Sequence, residues 1–295
     1  MEKVEIGKYH LNKLDKLITS RNVNMTEGII YFYPIKNQWE SEMKIIKSFF
    51  LAPSKNKLKI LNILDENRYS LNRYKELVLP EKLITNGGEA YGILMKYISG
   101  ANFSDYLQND LVPFEEKIRR FREIGNFLDI MEEFRKYDKR LSNFYIGDIH
   151  SSNFLVLKDT IKIIDLDSCT IGNADPSISY YLSGNFKLDS FRGKYDFLDS
   201  CKTIMKSTNN TEIYAYTMMF LSFLANYKIS SLNIDDYYEY IDYLEAVGMN
   251  KELCNSFRNI YTYKENINFH ESLDNIGSFE ESTSMESFQR YRKDI

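Results

Sequence analysis

Glycine and proline are scarce in this chain. With 13 and 5 of them in 295 residues, a collagen-like repeat or a long Pro/Gly-rich disordered tract is excluded. Cysteine is scarcer still. Cys169, Cys201 and Cys254 are odd in number and far apart, and no CxxC pair occurs. Those facts argue against a disulfide framework or a zinc site and fit a reducing compartment. No long hydrophobic run is present either. The longest apolar stretch, Tyr214 to Ala225, is broken by Thr217 and Ser222 and is too short to cross a bilayer. The opening MEKVEIGKYHLNKLDK lacks the apolar core of a signal peptide. An excess of one charge is also missing: the formal net charge is −4, with acids and lysines interspersed. Nucleic-acid binding, which calls for a basic domain or stripe, is therefore not expected. The expectation is a soluble cytoplasmic protein without a membrane partner.

What is present is ordinary globular composition, 43% apolar and 27% charged, on a chain long enough for a sizeable core. Residues 25 to 100 hold short β-rich runs between turn signals. Gly28 to Ile35 (GIIYFYPI) is aromatic and β-branched, as a strand should be. Glu42 to Phe50 reads as a second strand, although its pattern is also compatible with a short helix. Leu58, Leu61 and Leu64 recur at helical spacing. Leu77 to Ile84 and Ala90 to Ile98 bracket the turn Asn86-Gly87-Gly88, a hairpin signal. Beyond Gly100 the pattern turns helical. Pro113 opens a long amphipathic segment whose apolar stripe is Ile118, Phe121, Ile124, Phe127, Leu128 and Met131. Two short strands follow, Phe154 to Leu157 and Ile161 to Ile164. From Thr211 the chain reads as helix, with Tyr214 to Tyr227 apolar on nearly every side and so expected in the core.

The chemistry concentrates in YIGDIHSSNFLVLKDTIKIIDLDS, Tyr145 to Ser168. Asp148 and Asn153 lie five apart on a loop after the long helix. Asp165 follows a short hairpin that folds the chain back, so that Asn153 and Asp165 can converge. A carboxylate beside an amide oxygen suits Mg²⁺, a hard ion that also takes phosphate oxygens. Asp148 would then be placed to accept a proton from a substrate hydroxyl.

This pattern resembles the catalytic and metal-binding loops of the protein-kinase-like superfamily. The Gly147-Asp148 pair, and an acid two residues after Asp165, are closer to its aminoglycoside- and choline-kinase branch. NTEIYAYTMMFLSFLANY, with Glu212 at the place of the usual aspartate, is similar to the central helix of true protein kinases. YGILMKYISG is similar to their adenine-lining strand and hinge. The resemblance covers roughly residues 25 to 275. It implies an α+β, bilobal fold: a small antiparallel β-rich lobe at 1–97, a larger helical lobe at 98–278, and a polar tail at 279–295.

For the site, the resemblance implies ATP with Mg²⁺ (or Mn²⁺), Asp148 as catalytic base, and Asn153 and Asp165 as metal ligands. Nucleotide contacts would come from Gly28, Met95 as gatekeeper, Lys96, Tyr97 and Ile98 of the hinge, and Leu155. Lys44 fits the phosphate-anchoring lysine best, with Lys36 and Lys47 as competitors. The lysine's acidic partner would be Glu66 or the adjacent Asp65. Asp167 reads equally as a further metal ligand or a turn residue. His150 reads as a structural or solvated histidine, or as a γ-phosphate contact. Ile146-Gly147 replaces His-Arg, which removes the partner of a phosphorylated activation loop.

Phosphoryl transfer to a hydroxyl is the leading expectation. The acceptor would be protein Ser/Thr, because Asp175 to Tyr195 is long enough for an activation segment. Only 47 residues separate Gly100 from Asp148, which leaves little room for the inserted helices of a small-molecule kinase. Small-molecule transfer is the alternative within the class. A pseudokinase scaffold, suggested by the glycine-poor loop, is the alternative outside it. A metal-binding D-x-D reading of Asp165-Leu166-Asp167, as in glycosyltransferases, lacks the upstream α/β domain it would need. Asn209-Asn210-Thr211 reads as either a docking loop or a helix-capping turn.

Overall fold

The computed structural model describes residues 1–17, 27–36, 41–172, 209–227, 229, 232 and 234–261. The candidate activation segment Asp175 to Tyr195, Cys201 and the tail 279–295 lie outside the described residues. The fold is α+β. Among the described residues its main sheet has five strands: β1 (Lys3–Glu5), β2 (Gly28–Lys36), β3 (Ser41–Phe49), β4 (Lys82–Asn86) and β5 (Glu89–Lys96). Their order is β1-β4-β5-β3-β2. β2 to β5 pair antiparallel as expected, but β1 adds parallel to β4. The sheet is therefore mixed rather than antiparallel throughout. A smaller sheet joins β6 (Ala101–Asn102), β7 (Phe154–Val156) and β8 (Ile161–Ile163).

The segment Glu42 to Phe50, ambiguous in sequence, is strand. Its alternation decides the matter, because successive side chains point to opposite faces. Ile46 packs with Tyr31, Ile84 and Leu94 beneath Ile6 and Leu11, Leu11 belonging to the short helix α1 (Lys8–Leu11). Phe49 packs on the other face with Leu83, Ile93 and Met95, and with Leu61 of α2 (Lys55–Glu66). β4 begins at Lys82 rather than near Leu77. The Leu77 region is engaged elsewhere, since the Val78 amide donates to the Ile163 carbonyl and the Ile163 amide to that of Glu76. Pro80, which has no N–H, then closes that stretch. The β4–β5 hairpin turns on Gly87 and Gly88 with φ of 61° and 84°, a pair of positive values that only glycine adopts without cost.

Helix α2 starts at Ser54, whose hydroxyl accepts from the Lys57 amide at 3.1 Å, an N-cap contributing about 1 kcal/mol. Its buried residues serve two clusters. Leu61 joins the sheet, while Ile60 and Leu64 join the main helical core. The short helices α3 (Arg68–Leu71) and α4 (Phe103–Gln108) lead to the long α5 (Phe114–Tyr137), whose six-residue apolar stripe is buried as expected. Pro113 is its N-cap. The helix α6 (Asn209–Ala225) is apolar on nearly all sides because it is the centre of the core. Tyr216, Thr217, Phe220 and Leu221 have no measurable exposure. Asn209, Asn210 and Thr211 form its first turn. Helices α7 (Ile234–Ala246) and α8 (Lys251–Tyr261) pack beyond it. Among the described residues no helix is long and apolar enough to cross a membrane. Cys169 and Cys254 are buried and unpaired.

Candidate active site

The loop after α5 is held from below by a buried carboxylate. Glu212 of α6 accepts the Ile146 amide at 2.6 Å and pairs with Arg135 of α5 at 3.0 Å. Arg135 also donates to the Phe144 carbonyl at 3.1 Å and lies over the Tyr145 ring. Burial pushes the Glu212 carboxyl up, against the opposing pull of Arg135 and the Ile146 amide. The next residue, Gly147, has φ of 80°. A side chain would be strained there, which accounts for a glycine directly before Asp148.

Among the described residues, Asp148 is oriented from one side. Its Oδ2 accepts from Asn153 Nδ2 at 3.2 Å and lies 3.4 Å from His150 Nε2. The same Asn153 amide donates to the Asp148 carbonyl at 2.9 Å. His150 Nδ1 accepts the Ser152 amide at 3.2 Å, so a neutral imidazole carries its proton on Nε2, toward Asp148. Oδ1 of Asp148 is buried and has no hydrogen-bond partner among the described residues. A buried acceptor without a donor is costly.

The hairpin returns Asp165 to this loop, as the spacing implied. The Ile164 amide donates to the Asn153 carbonyl at 2.9 Å, and Asp165 then adopts φ 66°, ψ 41°. Left-handed backbone is unusual for a non-glycine residue and collects at functional sites. A single 3₁₀ turn, Leu166–Ser168, follows and carries Asp167. Two lysines meet these acids. Lys47 of β3 contacts Asp165 and lies 3.2 Å from both Asp167 oxygens. Lys57 of α2 lies 3.1 Å from Asp167 Oδ2. Glu27, just before β2, bonds both ammoniums at 3.2 and 2.8 Å.

The oxygens offered by Glu27, Asp165 and Asp167 all lie within 4.8 Å of one another. That spacing and an all-oxygen donor set fit a divalent hard cation. The Asp165 side chain keeps 30% of its exposure and Asp167 none, so Asp165 faces the open side. Burial and the neighbouring Asp167 carboxylate push Asp165 up. For Asp167 burial acts the same way, but Lys47, Asp165 and Lys57 outweigh it and hold the carboxyl low. Burial likewise opposes the Lys47 charge, and the three acids more than offset it.

The expected anchor, Lys44, is not in this cluster. It stands three positions from Lys47, hence on the opposite face of β3, and pairs with Glu81 and Glu42. Lys36 ends β2 far along the strand. The expected acid partner from α2 is not there either. Asp65 bonds Arg68, and Glu66 is exposed at the far end of the helix. Lys57 is the α2 residue that reaches the cluster.

Gly28 has a structural reason of its own: a Cβ there would lie 2.3 Å from the Ser48 carbonyl. Met95 is buried beside Phe49 and Leu61. The Tyr97 amide is already engaged by the Met43 carbonyl at 3.3 Å and its ring by Phe32. Lys96 ends β5, Ile98 follows half-buried, and half-buried Leu155 lies in β7. Neither a protein-family model nor a curated protein sequence matches the chain. The functional reading therefore rests on these residues.

Glu27 and Lys57 were missed in the sequence, though each left a signal. Lys57, Leu61 and Leu64 continue one helical stripe at i, i+4, i+7, which aims Lys57 at the sheet. Glu27 abuts the first residue of a strand whose partner carries Lys47.

Proposed function

We propose that the chain is an ATP- and Mg²⁺-dependent phosphotransferase on a bilobal protein-kinase-like framework, moving the γ-phosphate to a hydroxyl. The observation that carries the reading is the meeting of Lys47 with Asp165 and Asp167, residues 118 and 120 positions apart. They sit one hydrogen bond from the loop that holds Asp148. Asp165 and Asp167 supply oxygens for the cation. Bound Mg²⁺ would neutralise charge on the phosphate oxygens. Lys47, kept cationic by its acids, holds phosphate. Asp148 takes the acceptor's hydroxyl proton, its carboxylate oriented by Asn153 and His150 at Oδ2. Positioning and charge stabilisation carry such a transfer, since little covalent chemistry is left for the protein.

A protein serine or threonine is the acceptor class the fold favours over a small molecule. Between Gly100 and Asp148 the structure has only β6, α4 and α5, with no inserted helices from which to wall an acceptor pocket. A pseudokinase is the second reading. It is favoured by one observation, that Lys47 and Lys57 already neutralise the acids on which the cation would bind.

Thermal unfolding with ATP, with and without Mg²⁺, tests the reading together with phosphoryl-transfer assays. Ligand at about a hundred times its Kd stabilises by about 2.7 kcal/mol, a shift of several degrees for a chain of this size. Asp165→Asn should abolish the Mg²⁺-dependent shift. Asp148→Asn should keep the shift and lose transfer. A wild type that shifts but transfers to no acceptor points to the pseudokinase. A wild type that never shifts removes the nucleotide site altogether.

A further inference from the structure

We infer that Lys57 is a second phosphate-binding cation of this site, and that Glu27 is a stand-in anion displaced when a polyphosphate enters. The nucleotide identity of that polyphosphate rests on the phosphotransferase reading; the cradle itself rests on geometry. Lys47 and Lys57 come from different elements, β3 and α2, yet share the same two oxygens. Glu27 Oε2 lies 3.2 Å from Lys47 and 2.8 Å from Lys57. Asp167 Oδ2 lies 3.2 and 3.1 Å from them. Both ammoniums also lie over the Phe49 ring, at 5.7 and 4.9 Å from its centroid. That aromatic floor attracts cations and helps to hold the pair side by side.

Two like charges this close need bridging anions. The two bridges differ in kind. Asp167 is fully buried, whereas the Glu27 side chain keeps 45% of its exposure. A phosphate oxygen offers what Glu27 offers, an anionic acceptor for two N–H donors. Exchange of Glu27 for phosphate leaves Asp167 paired and gives up only the contacts of the more exposed of the two carboxylates. Helix α2 brings no acid to Lys47, because Asp65 and Glu66 lie at its opposite end. The helix therefore adds a positive charge to the site where an acidic partner would have removed one.

The experiment is calorimetric titration of the full chain with sodium tripolyphosphate, with ATP with and without Mg²⁺, and with adenosine. Lys57→Gln should weaken tripolyphosphate and ATP by roughly tenfold or more, the scale of a lost charge-assisted hydrogen bond. Lys57→Arg should retain most of the affinity. Glu27→Gln should tighten tripolyphosphate several-fold, because the competing carboxylate is gone. None of the variants should change adenosine binding. Ligand-free unfolding midpoints matching wild type establish that each variant folds, and the opposite sign at Glu27 cannot arise from misfolding. Wild-type affinity in Lys57→Gln overturns the inference while leaving the phosphotransferase reading in place. Weaker ATP binding in Glu27→Gln only when Mg²⁺ is present makes Glu27 a cation ligand and overturns its stand-in role. Tripolyphosphate binding with the expected signs but no ATP binding keeps the cradle and sinks the phosphotransferase. Binding of neither by the wild type sinks both.

Discussion

Lys44 and Lys47 are separated by two residues and by the whole thickness of a sheet. Strand alternation places Ile45, Lys47 and Phe49 toward α2, and Lys44 and Ile46 toward the face covered by Ile6 and Leu11. Motif matching alone weighs an apolar flank and a position, and both lysines satisfy it. Parity distinguishes them, but it can be read only once the segment is known to be strand and its inward face is known. Lys47→Met should therefore cost roughly 100-fold or more in transfer, the scale of losing a cation aimed at developing charge. Lys44→Met, which among the described residues breaks the contacts to Glu42 and Glu81, should leave transfer within about twofold of wild type. Steady-state kinetics on the two variants check this, and equal losses would contradict the assignment. Asp148, Asn153 and Asp165 were legible because their spacing is local: a loop, a hairpin and a return. Glu27 was not, because its partners Lys47 and Lys57 are 20 and 30 positions away.

Helix α2 shows what an element contributes beyond its residues. Its apolar spacing announced it, and Ser54 fixes where it begins. The cap sets the orientation of the first turn, and Lys57 lies in that turn. Ser54→Ala removes the acceptor of the Lys57 amide and should cost about 1 kcal/mol, or about 2–4 °C in Tm. Polyphosphate affinity should fall in the same variant, because the turn that carries Lys57 frays while Lys57 itself is retained. Calorimetry alongside a melting curve separates the two effects, and a Tm loss with unchanged affinity would mean that the cap serves stability alone. The strands were less legible than the helices. β1 has three residues and no alternation to read. The start of β4 moved because Val78 bonds to Ile163, a pairing across 85 positions that no local pattern reveals.

At the scale of the molecule, α5, α6 and the Asp148 loop meet at Glu212. Its carboxylate spans Ile146 and Arg135, so three distant stretches of chain share one buried group. Buried ion pairs are poor sources of stability, because desolvation offsets their attraction. The direction of the Glu212 shift agrees, since burial dominates and raises it. The sign of the pH dependence follows. Between the unfolded value near 4.5 and the higher folded value, the native state binds more protons than the unfolded one. The Glu212 contribution to stability must then fall as pH rises through that window. Glu212→Gln keeps an oxygen for the Ile146 amide and has nothing to titrate. In urea unfolding, the stability of the wild type relative to Glu212→Gln should decline as pH rises above about 4.5. Glu212→Ala is different in kind. It removes the carboxylate paired with Arg135, a buried-pair loss of about 3–5 kcal/mol, and frees the Ile146 amide two residues before Asp148. If Glu212 serves to place the loop, transfer should survive in Glu212→Gln and collapse in Glu212→Ala under conditions where both remain folded. Equal activity in the two would leave Glu212 a packing residue rather than the group that places the Asp148 loop.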